Sequence, residues 1–406
     1  MKNNLVAWKR RNLTLSGRVY LLKSVGLSSM LYGFENQSVP QWVETEVNKL
    51  MWGFIWQDKQ EKVKRVTCKR SRQEGGLSVP DISACIKAIR LKTLGKIMSG
   101  SVDTWKILPL MFMGAKLDQL DKCCCLTKME LNRGKIPEYY VECLNAWHSL
   151  DCKKWPKNNE KKIYDYMFRG DGLNLDQDDE VVGPELSINI EGLDWKSVQG
   201  CQRKDIYKML LAEVLKSKHE IQWEEGYGKE INWKEIYRSL NEIKIPRKIK
   251  EFSWKCINNA VTTENRLKQM KLSDGMCRLC GNEIEDLSHL LVDCETIVNY
   301  WKAVINLIRT NVPRYKFQEM HVTIGCVEDG YNVKETGVIS YIIMFAKWMI
   351  WKRRCVVRYE QKWINEETLW KWYNSQLSMQ KGMQDLIKSR KHRSFLKGLK
   401  LESNTD

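Results

Sequence analysis

The chain has 406 residues, 43% of them hydrophobic, and a formal net charge of +17 at pH 7. That length and apolar share suit two to four folded domains, and the charge points to a polyanionic partner, nucleic acid before an anionic membrane. The 14 cysteines are scattered, and the opening MKNNLVAWKRRN is too polar for a secretory h-region; the pattern does not resemble a disulfide framework, and the nucleus or cytoplasm is the expected compartment.

Residues 1–100 carry 18 basic against 7 acidic side chains and read as a basic segment of three helices. In the first, Ser16 is the expected N-cap, with Leu15, Val19, Leu22 and Val25 on the apolar face and Arg18 and Lys23 outside. Pro40 is expected to open the second at its first position, where Val43, Val47, Leu50, Met51, Phe54 and Ile55 form one buried stripe that Trp52 and Trp56 widen. The run Lys62 to Arg72 holds six basic residues in eleven and no acid. Gly75-Gly76 break the chain, and Asp81 is placed to cap a third helix with Ile82, Ile86, Ile89 and Ile97 inward. Lys87, Arg90, Lys92 and Lys96 would crowd its outer faces.

Residues 101–243 are acidic, with 21 basic against 25 acidic groups, and read as a helical linker region. Within it, 170–192 concentrates Gly, Asp, Asn and Pro, the signature of an exposed connection. Cys123-Cys124-Cys125 invites a metal reading, but adjacent side chains on a helix diverge, so packing or loop cysteines are the better reading. Residues 244–301 are near neutral, yet 244–278 hold nine basic against three acidic groups, while 281–301 hold five acidic and none basic. A helix is expected over 248–259, anchored by Phe252, Trp254 and Ile257, and Thr262-Thr263-Glu264 starts another. The acidic stretch after Cys280 is expected to face solvent. Residues 302–406 return to 19 basic against 10 acidic groups and alternate buried helices with basic clusters, Lys352-Arg353-Arg354 and Lys388 to Arg393. The apolar run Val338 to Trp351 is shorter than a bilayer span and contains Lys347, so it reads as a buried core helix. The fold expected from these elements is predominantly α, multi-helical, with a small zinc-knuckle module.

That module is carried by Cys277, Cys280, His289 and Cys294, spaced Cys-x2-Cys-x8-His-x4-Cys. Two cysteines two residues apart present both sulfurs to one ion, and a His and a Cys one turn apart complete the tetrahedron that Zn²⁺ accepts from N and S donors. Gly281 supplies the tight backbone such a knuckle needs. With protein ligands in all four positions the zinc is structural. His289 would give one ring nitrogen to the metal and the other to an acceptor such as Glu285 or Asp286.

WKRRNLTLSGRVYLLKS (Trp8 to Ser24), the FIW of Phe54 to Trp56, and GGLSVPD (Gly75 to Asp81) resemble the segment that follows the polymerase palm in LINE-type non-LTR retrotransposon proteins. IPRKIKEFSWKCINNAVTTENRL (Ile245 to Leu267), CRLC, SHLLVDC and Tyr300-Trp301 resemble the zinc-binding domain of those reverse transcriptases. The resemblance covers about half the chain in matching order. It implies a thumb and its follow-on over 1–100 and a reverse-transcriptase zinc domain over 244–301, used in template RNA binding. It also implies that the chain is the C-terminal part of such a protein, starting at an internal methionine.

The polymerase motif of that family, Tyr-x-Asp-Asp on a hairpin holding two Mg²⁺ ions, is not in the sequence. Asp178-Asp179 is the one adjacent aspartate pair, and it lies in the Gly/Asp-rich stretch and not between hydrophobic strands. A Walker-type phosphate loop and a G-x-S-x-G elbow are also missing. His148, His219, His321 and His392 read as ordinary surface or core histidines. The chain is therefore expected not to be an enzyme but to bind RNA or DNA through Arg10, Arg11, Arg18, Lys62, Lys64, Arg65, Lys69 and Arg70, with Arg247, Lys248, Lys250 and Lys255 beside the zinc. Trp254 and Trp301 read as core residues of the module and not as base-stacking platforms. The competing readings are a zinc-stabilised helical scaffold for protein partners and a non-functional retroelement relic.

Overall fold

The computed structural model describes residues 1–97, 103–117, 136–150, 153–154, 187–189, 195–198, 200–211, 216–325, 330–386 and 399–400. The Cys123-Cys124-Cys125 run, Asp178-Asp179, most of the 170–192 connection, and the 388–393 cluster with His392 lie outside them. The described chain is mostly helical, with one small three-stranded antiparallel sheet. It forms two compact units that cross the sequence segments: 1–11, 20–59 and 80–213 make the first, and 12–19, 60–79 and 214–406 make the second.

Helices are numbered here in chain order. The first unit holds α1 (Lys2–Lys9), the last residues of α2 (Leu15–Leu21), a π-helical turn over Leu22–Leu27, α3 (Ser28–Asn36) and α4 (Gln41–Trp56). It also holds α6 (Ile82–Ile97), α7 (Ile107–Leu117), α8 (Glu138–His148) and α9 (Arg203–Met209). Strands β1 (Lys153–Lys154), β2 (Ser187–Asn189) and β3 (Trp195–Ser197) pair in the order β1-β2-β3. The core joins Ala88, Leu91 and Leu94 of α6 with Leu110 and Met113 of α7, Leu144 and Trp147 of α8, and Ile206 of α9.

Two details of this region differ from expectation. Thr14, not Ser16, caps α2: its Oγ1 accepts the Gly17 N–H at 3.2 Å, while Ser16 sits inside the helix. Arg90 faces inward on α6 and is 1% exposed. Its guanidinium donates to Glu142 Oε2 at 2.7 Å, to the Gln37 carbonyl at 2.7 Å and to the Phe34 carbonyl, and lies 4.2 Å from the Tyr139 ring centre. It thereby satisfies the carbonyls that α3 leaves open at its C-terminus. Other expectations hold in part: Pro40 is the N-cap of α4 and not its first residue, Val25, Val43 and Leu50 are only half-buried, and 1–97 forms six α-helices where three were expected. Asp81 accepts the Ala84 N–H at 3.1 Å, Ile82, Ile86, Ile89 and Ile97 are buried, and Pro40 precedes α4, whose Trp52 and Trp56 are buried.

The second unit holds α5 (Arg65–Lys69), α10 (Lys218–Tyr227), α11 (Trp233–Glu242), α12 (Arg247–Ile257), α13 (Glu264–Gln269), α14 (Val298–Asn311), α15 (Glu319–Thr323), α16 (Val333–Glu360) and α17 (Glu366–Leu386). Helix α16 is its axis, with an almost continuously buried stretch from Gly337 to Ile350. Lys347 is buried within that stretch and donates to the Val322 carbonyl at 3.0 Å. No helix among the described residues is long and apolar enough to cross a membrane.

Gly75-Gly76 form a tight reversal. Gly75 has φ +82°, and its carbonyl accepts the Trp254 indole N–H at 2.8 Å. A Cβ on Gly76 would come within 2.1 Å of the Arg70 carbonyl oxygen, a backbone atom that cannot swing away. Gly76→Ala is therefore expected to destabilise the second unit by about 1–3 kcal/mol, the usual cost of overpacking, read as a lowered urea midpoint. An unchanged midpoint would show that the reversal opens without penalty.

Candidate metal centre

The knuckle begins with an antiparallel bridge between Met276 and Ile284. Cys277 N–H donates to the Glu283 carbonyl at 2.7 Å, and Gly281 N–H returns to the Cys277 carbonyl at 2.9 Å. Gly281 has φ +75°, the left-handed conformation that glycine adopts without cost. Leu279 N–H points at Cys277 Sγ, 3.4 Å away, the contact that favours a thiolate. On the other side, a π-helical turn over His289–Asp293 carries the second ligand pair, closed by Cys294 N–H donating to the His289 carbonyl at 2.9 Å. Asp286 Oδ1 accepts the His289 backbone N–H at 2.8 Å.

These turns bring all four ligand atoms within 4.8 Å of one another. Cys277 Sγ and Cys294 Sγ are 4.0 Å apart, and Cys280 Sγ is 3.4 Å from His289 Nε2. Zn–S bonds of about 2.3 Å in a tetrahedron put sulfurs about 3.8 Å apart, so the spacing and the donor set fit a closed zinc site. Cys277, His289 and Cys294 are buried. Hydrogen bonding between the Cys277 and Cys294 thiols splits their acidities, pushing Cys294 down and Cys277 up.

The outer partner of His289 differs from expectation. Glu283 Oε2 lies 2.9 Å from Nδ1, close enough to hold the ring though not lined up as a hydrogen bond. Neither Glu285 nor Asp286 takes that nitrogen. Glu285 instead turns inward and is fully buried, the exception to a solvent-facing acidic stretch. It accepts from Arg354 Nε at 3.1 Å and Nη2 at 2.9 Å, and from the Glu264 backbone N–H at 2.9 Å. Arg354 also donates to Glu264 Oε1 at 2.5 Å, and Arg358 pairs with the same oxygen. Two guanidiniums from α16 thus face two carboxylates from the zinc segment. Sequence reading missed this cluster because its opposite charges lie 69 to 94 residues apart.

The residues nominated for nucleic acid have different surroundings. Arg10 and Arg11 are exposed, with Arg11 over the Trp8 ring, and Arg18 is half-buried. Arg65 is held by Glu61 and Lys255 by Glu251, both at 2.6 Å. Arg70 forms a buried pair with Glu220 at 3.2 Å. Lys62 donates to the Thr262 hydroxyl, Lys64 is exposed, and Lys69 is half-buried. Arg247, Lys248 and Lys250 stand on the first turn of α12. Trp254 and Trp301 are buried; the indole N–H of Trp301 donates to the Leu291 carbonyl at 2.8 Å, as that of Trp254 does to Gly75. Arg353 and Arg354 of the 352–354 cluster are buried, with Arg353 donating to the carbonyls of Ile364 and Thr296.

Comparison with known proteins agrees with this geometry. Residues 215–301 match the family described as zinc-binding in reverse transcriptase, a span that starts before the 244 boundary read from sequence. The chain is also 20% identical over 403 aligned positions to a "Putative ribonuclease H protein" of Arabidopsis thaliana, covering 87% of this chain and 62% of that relative. It thus spans less than two thirds of the relative's length. The two matches indicate a reverse-transcriptase-related protein.

Two outcomes are expected. The purified chain should hold about one zinc per molecule, and a Cys280→Ser/Cys294→Ser double variant should lose both the metal and on the order of 10 kcal/mol of apparent folding energy. Stoichiometric zinc in that variant, read by elemental analysis, would remove the assignment. Separately, Arg354→Met leaves two buried carboxylates short of a cation and should cost about 3–5 kcal/mol. Burial opposes ionisation of Glu264, but its hydrogen bonds to Ser273 and Arg358 and the charge of Arg354 hold it below the ordinary glutamate value. Its contribution is therefore present above that value and lost as pH falls through the lower folded-state value. Wild type should lose stability in acid more steeply than Arg354→Met in urea titrations; parallel curves would deny the coupling.

Proposed function

We propose that this chain is a nucleic-acid-binding part of a LINE-type non-LTR retrotransposon reverse transcriptase, organised around one structural Zn²⁺ held by Cys277, Cys280, His289 and Cys294. The observation that carries the reading is the agreement of a buried Cys₃His cluster with the match to the reverse-transcriptase zinc-binding family over the same residues. The metal's role is to close the knuckle. With all four positions taken by protein, it leaves no site for an activated water. Binding belongs to the surface cations, whose phosphate contacts give sequence-independent, salt-dependent affinity. The nucleus or cytoplasm is the compartment that keeps the ligand cysteines reduced.

The chain by itself is not a polymerase on this reading, because the sequence has no Tyr-x-Asp-Asp. The name of the Arabidopsis relative favours a second reading, cleavage of RNA in a hybrid duplex. The two separate in one set of assays. Labelled single-stranded RNA should bind the full chain with a log affinity that falls with log salt at a slope of roughly −3 or steeper, about 0.7 per phosphate contact. Primer extension and RNA–DNA hybrid cleavage with Mg²⁺ or Mn²⁺ should both be blank. No binding at low salt would sink the nucleic-acid reading in favour of a protein-binding scaffold. Hybrid cleavage, or extension abolished by Asp178→Ala, would make the chain an enzyme.

A further inference from the structure

Several cations in the second unit have a carboxylate. Arg65 has Glu61, Lys255 has Glu251, Arg278 has Asp274 and Arg358 has Glu264. Around the first turn of α12 the pattern stops. Arg72, Arg247 and Lys248 are exposed and Lys250 and Lys352 are half-buried. The ion pairs of the described residues include none of these five. Two framing contacts gather them from three separate stretches. Asn241 Nδ2 donates to the Arg72 carbonyl at 2.8 Å while the Asn241 carbonyl accepts from Lys250 Nζ at 2.6 Å. Phe252, one turn beyond Lys248, meets Trp348 edge-to-face and stacks on Trp351 of α16, with ring centres 5.6 and 5.5 Å apart. Lys352 follows Trp348 by one turn.

The lysines are set over indoles: Lys248 Nζ is 5.9 Å from the Trp348 ring centre, and Lys352 Nζ is 4.0 Å from that of Trp372. An indole face steadies an ammonium without neutralising it. The charges also feel one another. Burial, then Arg72 and Arg247, push Lys250 down to about 8, and burial, then Lys248, lower Lys352. Helix α12 adds to the imbalance, since no acid stands in its first turn and Pro246 offers no side-chain cap. Held in place, mutually repelling and without counter-charge, such a group lacks an anion.

We propose that Arg72, Arg247, Lys248, Lys250 and Lys352 form the phosphate-binding face of this unit and that its ligand is the backbone of single-stranded RNA. The inference rests on the nucleic-acid reading above and gives it a location. Two members, Arg72 and Lys352, come from outside the residues that sequence nominated. The face reads phosphates and not bases, because the Trp348 and Trp372 rings that border it are covered by ammonium groups.

The test compares two full-length variants that remove equal charge. One carries Arg72→Gln, Arg247→Gln, Lys248→Gln and Lys352→Gln; the other carries Lys2→Gln, Lys49→Gln, Lys234→Gln and Lys334→Gln. With a mixed-sequence single-stranded RNA oligonucleotide, the first should flatten the slope of log affinity against log salt by up to about three units, at roughly 0.7 per lost contact. The second should change it by less than about one. Zinc content reports folding. If the first variant loses its metal, the Lys248→Gln/Lys352→Gln pair carries the test, with a decline of roughly 1.4 expected. Equal losses from both sets, or an unchanged slope in the first, would overturn the location while leaving RNA binding intact. A wild-type chain that binds no RNA at low salt would instead remove the reading on which the location rests.

Discussion

The second unit depends on a buried guanidinium. Arg354 is fully buried on α16 and sits between Glu264 and Glu285, both also fully buried. A charge removed from water at that depth is tolerable only if its partners are charged and well placed, and here each partner belongs to a different turn of the zinc segment. Glu264 opens α13, and its backbone N–H is taken by Glu285, so one carboxylate both pairs with the arginine and satisfies a helix end. Arg358, one turn further along α16, shares Glu264 and brings the cluster to two positive and two negative groups. Helix α16 is thereby tied to the knuckle by charge as well as by apolar packing.

The same device recurs with other partners. Arg353 donates to the carbonyls of Ile364 and Thr296, Lys347 to that of Val322, and in the first unit Arg90 to those of Phe34 and Gln37. Each cation ends a segment whose last carbonyls would otherwise be left unsatisfied in the interior. A chain of +17 thus spends part of its positive charge inside, and its net charge overstates what the surface can offer a polyanion.

That division explains what the sequence made legible. The helices around Val47 to Ile55 and Ile82 to Ile97 announce themselves by spacing, and the four metal ligands by theirs, because both signals are local. The Lys62 to Arg72 run looked like an uninterrupted basic surface for the same reason. The acid that pairs with its Arg70, Glu220, is 150 residues away, and no local count contains it. Arg90 looked exposed because a charged residue on an amphipathic helix usually is; the carboxylate that brings it inside, Glu142, is 52 residues on. Charge by segment therefore locates basic regions but not basic surfaces. Only the pairing separates the cations that hold the fold from those left facing solvent around α12.

The knuckle also shows how one short strand serves two masters. Around the Met276–Ile284 bridge the chain is extended, with Cys277 N–H bonded to the Glu283 carbonyl and Glu285 N–H to that of Gly275. In such a segment successive side chains point to opposite faces, so Glu283 and Glu285 share a face with each other and not with Ile284. Yet Glu283 is 69% exposed beside His289, whereas Glu285 is buried against Arg354. The bridge ends between them, at the bend where Asp286 N–H turns back to the Ile284 carbonyl. That bend sends one carboxylate to the metal ligand and the other to the helix. The ion pair fixes the loop from one side and a metal held by the Cys₃His cluster would fix it from the other, so the orientation of His289 is set by the fold around it as much as by the ion it is placed to bind.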